Sequence, residues 1–124
     1  MNRRDMQRAI VRGVRLLDIK DPDWWKNDTT PNGITLPKLD MENPRCCVIG
    51  QRNPEEEEPY CIGIEKLGTR NGIQYGFDLP FLSKEKFSIL TELWIAVIDA
   101  RRHPRRRNVP QWIERIRKPA TVRA

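Results

Sequence analysis

Residues 83–103, SKEKFSILTELWIAVIDARRH, carry the clearest periodicity in the chain and decide its class. Phe87, Leu90, Trp94, Val97 and Ile98 recur at helical spacing, with Ile89 and Leu93 beside them. Such a stripe marks an amphipathic helix whose apolar side faces a core. Ser83 is a good N-cap, and Pro104 ends the helix at His103. Arg101 and Arg102 sit in its last turn, where cations oppose the negative end of the dipole. This helix is the expected centre of the core.

Working outward, residues 3–19 give a second helix. Met6, Ile10, Val14 and Leu17 form its apolar face, broadened by Ala9, Val11 and Leu16. Arg4, Arg8, Arg12 and Arg15 run along the opposite side at steps of four, four and three. Gly13 inside this helix costs about 1 kcal/mol unless a close neighbour needs the missing side chain. Asp21-Pro22-Asp23-Trp24-Trp25 predicts a short helix, with Asp21 as cap and Pro22 in the first position. Asn43-Pro44 repeats that start and predicts a short helix to Gln51. Tyr60–Leu67 predicts a third short helix, ended by Gly68. Residues 27–38 and the Glu55–Glu58 run read as loops, the latter solvated between two prolines. Ile34 and Leu36, and Ile73, Tyr75 and Phe77, alternate with other residues in a way that permits a minor β-hairpin. Val109-Pro110-Gln111 opens a last short helix to Lys118, and residues 119–124 are expected to fray. The expected fold is mainly α, with a compact domain over 1–103 and a basic C-terminal extension over 104–124.

The chain has 124 residues, 38% hydrophobic and 32% charged. A domain of this size buries roughly two-thirds of its unfolded surface, so its core is adequate and thin. No apolar run approaches the roughly 18 residues that span a bilayer. The arginine-interrupted N-terminus reads as structure, not as a signal peptide. Three cysteines, Cys46, Cys47 and Cys61, with the one histidine, His103, make a poor disulfide framework and a poor zinc site. Free thiols in a cytoplasmic protein are expected instead.

Charge is unevenly spread. Residues 1–20 hold six Lys/Arg against two Asp/Glu, residues 21–100 eight against fourteen, and residues 101–124 nine against one. The chain therefore has an acidic centre between basic ends. Arg101, Arg102, Arg105, Arg106, Arg107, Arg115, Arg117, Lys118 and Arg123 crowd the C-terminal stretch around Trp112. Such density binds phosphates by counterion release, and an interleaved Trp can stack on a base. The bland alternative is a solubilising tail that pairs with the protein's own acidic centre. Trp24-Trp25 is either a stacking platform or interface anchor, or one core ring and one ring covering a helix end. Cys47 at a helix start can be a nucleophile or a structural thiol, and lacks a base nearby in sequence. Asp78 reads as a turn or cap residue, and Gln51 as a bridge between backbone groups.

Several steps carry a resemblance: Gly13–Asp18 as G-x-x-L-L-D, Pro22-Asp23-Trp24, Leu39-Asp40, Cys47-Val48-Ile49-Gly50-Gln51, Tyr75-Gly76-Phe77-Asp78 and Leu90-Thr91-Glu92-Leu93-Trp94. Their order resembles a group of small uncharacterised proteins of actinobacteria and their phages, over about residues 10–102. The chain departs from that group by Ile49 for the usual Leu, by Cys46, and by the basic stretch after residue 103. The resemblance implies a phage or prophage origin and no particular activity. The expectation is a non-enzymatic accessory protein, without cofactor or metal, in the host cytoplasm. It would dock on a host protein or, alternatively, bind nucleic acid with its basic termini. A self-assembling component is a third class. The candidate binding residues are Arg101, Arg102, Arg105, Arg106, Arg107, Trp112, Arg115, Arg117, Lys118, Trp24 and Trp25.

Overall fold

The computed structural model describes residues 1–26 and 32–119. Its helices are α1 (Arg3–Lys20), α2 (Val48–Arg52), α3 (Pro59–Lys66), α4 (Lys84–Arg102) and α5 (Gln111–Glu114). The mainly α fold expected from the periodicity is what forms. Arg123, the expected fraying beyond Pro119 and the part of the expected loop at 27–31 lie outside the described residues.

The two long helices begin as their sequences direct. Asn2 Oδ1 accepts from Asp5 N at 2.9 Å, and Asp5 returns a bond to Asn2 N, closing a reciprocal cap on α1. Ser83 Oγ accepts from Lys86 N at the start of α4. Met6, Ile10, Val14 and Leu17 of α1 and Phe87, Leu90, Trp94, Val97 and Ile98 of α4 are all buried in one cluster. Trp94 is its hub. Its ring stacks on Phe77 at 5.6 Å and meets Trp24 edge-on at 5.8 Å, while Nε1 donates to Gly76 O at 2.7 Å. Gly13 is the close-approach glycine of α1: a side chain there would run into the Tyr75 carbonyl.

Three local expectations are corrected. No strand forms among the described residues. Leu36–Lys38 and Ile73–Tyr75 are 3-10 turns instead. Pro37 removes a ladder donor from the first, and Gly76, at φ +74°, closes the second. Residues 21–25 form turns, not a helix, because Asp21 is drawn away from capping by Arg52 at 2.7 and 2.8 Å. The helix expected from Arg45 starts at Val48, since Asn43 holds the preceding residues in a turn and Cys47 Sγ caps Gly50 N.

The chain beyond residue 104 does not trail from the domain. Ile113 and Ile116 join the same core cluster as α1 and α4. The buried Arg101 guanidinium holds them there: Nε and Nη2 donate to Ile116 O at 3.0 and 2.7 Å. Its other contacts are two bonds to Asp18, at 2.6 and 2.8 Å. Trp24 Nε1 also donates to Asp18, at 3.0 Å, and the guanidinium lies 5.4 Å from the centre of the Trp24 ring. Asp18, Trp24, Arg101 and Ile116 thus tie four separate stretches of chain together.

Removing one member of such a buried pair leaves the other charge without its partner, at about 3–5 kcal/mol. Asp18→Asn and Arg101→Met should each lower the unfolding free energy by about that amount in denaturant titrations. The double variant should lose clearly less than the two single losses added together. Additive losses would show that the pair is not coupled.

Candidate nucleic-acid interface

The α1 arginine stripe is straight in sequence and splits in the fold. Arg12 Nε is spent on Gln74 O at 2.8 Å. Arg4, Arg8 and Arg15 remain exposed and have no hydrogen bond or ion pair with any described residue. They face α5. Ile113 and Ile116 go into the core, so the opposite side of that short segment presents Gln111, Trp112 and Arg115 to α1. Between the two helices runs a groove of about 510 Å³, walled by Arg4, Gln7, Arg8, Val11, Arg15, Gln111, Trp112 and Arg115. Among the described residues, four arginines border it and no Asp or Glu does.

Trp112 is half-buried; it packs against the core and also lines the groove. Its indole N–H has no partner among the described residues. The ring is therefore held in place by packing while part of it faces the cations. Arg115 is exposed and, like the three α1 arginines, unpaired.

The remaining sequence candidates divide by burial. Arg101 and Trp24 are interior residues and are corrected as binding candidates, because a buried ion pair and a buried ring offer a partner nothing. Arg102 donates to Trp25 O and Ile34 O at 2.8 and 2.7 Å, so it ties these two backbone positions to α4. Trp25 is half-buried and packs on the core near Arg101. Arg117 donates to Ala100 O and pairs with Glu114, holding α5 to α4. Arg106 pairs with Asp99. Arg105, Arg107 and Lys118 are exposed and unpaired among the described residues. The groove therefore keeps Trp112 and Arg115 from the C-terminal candidates. It adds Arg4, Arg8 and Arg15, which were visible in sequence only as a helix stripe.

The chemistry-bearing groups elsewhere have structural duties. Burial pushes the Cys47 thiol up to about 11, so it is protonated at neutral pH. Its sulfur accepts from Gly50 N and contacts Pro44 O. Burial, and then the Asp78 charge, also raises the Tyr60 phenol. Asp78 accepts from Leu79 N, and Gln51 bridges Thr35 and Cys46 through backbone bonds, both as expected. No group of three or more metal-ligating side chains occurs among the described residues. Among the same residues, no helix is long and apolar enough to cross a membrane. Comparison with protein-family models, with curated proteins and with solved structures finds no match to this chain.

The thiols should differ in reactivity. Cys61 is exposed and Cys47 buried with a raised pKa, so a thiol reagent at pH 8 should label Cys61 first. Cys47 should react only after denaturant is added, as read by mass spectrometry of digested peptides. Fast labelling of Cys47 in the native protein would contradict its placement.

Proposed function

We propose that this chain is a non-enzymatic accessory protein that binds nucleic acid through the groove between α1 and α5. One observation carries the reading: four arginines without partners among the described residues line one groove with a half-buried Trp, and no Asp or Glu is among the described lining residues. An arginine that spends no donor on an internal partner leaves its guanidinium fork for a ligand, and phosphates supply the complementary charge. Arg4 to Arg15 spans about 16 Å along the helix axis at 1.5 Å per residue. That length matches several phosphates in a row, at ~3.4 Å of axis per strand in a duplex, better than it matches a single anion. The pattern resemblance extends the proposal to a phage or prophage origin and to action in the host cytoplasm.

A second reading, docking on a host protein, has one observation in its favour. Phe81 and Leu82 are adjacent apolar side chains exposed in the turn before α4, Leu82 almost completely, at 95%. Exposed neighbouring apolar residues are contact points for partners.

The two readings separate by experiment. On the first, affinity for an oligonucleotide should fall steeply with salt. Four neutralised phosphates give a slope of about −3.6 on a log–log plot for duplex, roughly a 100-fold loss between 50 and 200 mM. The triple variant Arg4→Gln, Arg8→Gln, Arg15→Gln should lose most of that slope in an anisotropy titration. Changing the outlying Arg105 and Arg107 to Ala should cost less. A flat salt response, or equal losses in the two variants, overturns the groove as the site. On the second, Phe81→Ser with Leu82→Ser should abolish capture of a stoichiometric host protein without changing the salt slope.

A further inference from the structure

We infer that the α1/α5 groove takes an unpaired nucleic-acid strand, with a base stacked on the Trp112 ring; this rests on the nucleic-acid reading and names its substrate class. The distinction lies in where the indole sits. The arginines are exposed around the groove, whereas Trp112 is half-buried in its wall and packed on the core. A duplex keeps its bases stacked inside a stiff cylinder, so its phosphates can meet the arginines while its bases cannot reach a recessed ring. A single strand has free base faces and a backbone flexible enough to follow the groove. Positively charged channels that carry an aromatic platform are the general solution for such strands, and every base has a face to stack.

Further details fit an unpaired base. Gln7 and Gln111 border the groove and offer both donors and acceptors, which a base edge uses and a phosphate half uses. The Trp112 N–H has no partner among the described residues, which leaves it available to a base or phosphate oxygen. Packing has already fixed the indole, so little side-chain freedom remains to be lost when a base arrives. Val11 supplies an apolar surface in the same groove.

The full-length chain should be titrated with four labelled probes: a single strand of about a dozen nucleotides, the matching duplex, an abasic strand of the same length, and a free mononucleotide. The single strand should bind about ten-fold tighter than the abasic strand, within the roughly 5- to 150-fold range of base–aromatic stacking. It should also bind tighter than the duplex and much tighter than the mononucleotide, and should quench indole fluorescence. Trp112→Leu keeps an apolar side chain against the core. It should erase the difference between normal and abasic strands and the quenching, while leaving the salt slope intact. Trp112→Phe keeps a ring and should retain most of the difference. Should the Leu variant fail to fold, the comparison of normal with abasic strand in the unaltered protein decides alone. Equal binding of normal, abasic and duplex probes, with a steep salt slope, overturns the stacking inference and leaves nucleic-acid binding standing. A mononucleotide as tight as the strand overturns the strand as ligand. Absence of salt-dependent binding to every probe overturns both readings.

Discussion

Taking a guanidinium and a carboxylate out of water costs several kcal/mol for each ion, and a buried pair recovers that only with good geometry and satisfied neighbours. Arg101 and Asp18 meet that condition. The two side chains bond bidentately, the remaining guanidinium donors reach Ile116 O, and a second donor reaches Asp18 from Trp24. Everything distinctive about the C-terminal quarter follows. Once Ile116 O is fixed to Arg101, Ile113 and Ile116 have to enter the core, and the opposite side of α5 is set beside α1. The groove is thus a by-product of an internal salt bridge some distance from it. Arg117, bonded to Ala100 O, fastens the same segment from outside.

The parts of this fold that were legible in the sequence are those governed by local periodicity. The stripe from Phe87 to Ile98 and the face from Met6 to Leu17 each fix a helix within a few turns, and both are buried as their spacing requires. Short segments were less legible, because one turn of helix has too few bonds to outweigh tertiary competition. Asp21 had every local feature of a cap, yet Arg52, distant in sequence, takes its carboxylate. The alternation at 73–77 looked like a strand, but Tyr75 O must approach Gly13, and a 3-10 turn delivers it there. Charge was the hardest property to read. Spacing puts Arg101 on the stripe of Trp94, Val97 and Ile98 and Arg105 beyond Pro104, but it names no counter-ion for either. The counter-ion of Arg101 is an aspartate that lies 83 positions away.

The residues of the motif steps between Gly13 and Trp94 that the structure explains are scaffold. Asp18 and Trp24 belong to the ion-pair cluster. Cys47 caps α2, and Gly50 lets that helix lie against the Pro44 carbonyl. Gln51 bridges two loops, and Thr91 accepts from Met41 N while donating to Phe87 O. Gly76 and Phe77 pack on Trp94. None of these residues borders the α1/α5 groove, whose C-terminal wall comes from the stretch where the pattern has ended. The pattern is therefore informative about how the chain packs and silent about what it touches.

An excess of arginine at both ends of a chain has an innocent explanation, namely neutralisation by the acidic centre, and the individual pairings test it. Asp99 does take Arg106, and Asp21 takes Arg52. In the glutamate run, Glu55 and Glu56 pair with Lys66, and Arg45 bonds the backbone of Glu56 and Glu57, all within the middle of the chain. Arg117 finds its carboxylate three residues away, in Glu114. Internal neutralisation thus accounts for Arg52, Arg101, Arg106 and Arg117, and not for Arg105 or Arg107 in the loop after α4. It stops short of Arg4, Arg8, Arg15 and Arg115, which sit together where like charges repel. Four cations gathered without counter-charge cost stability. A fold that tolerates that cost beside a fixed indole is better explained by a ligand that supplies the missing anions than by a solubilising surface, which would have spread them apart.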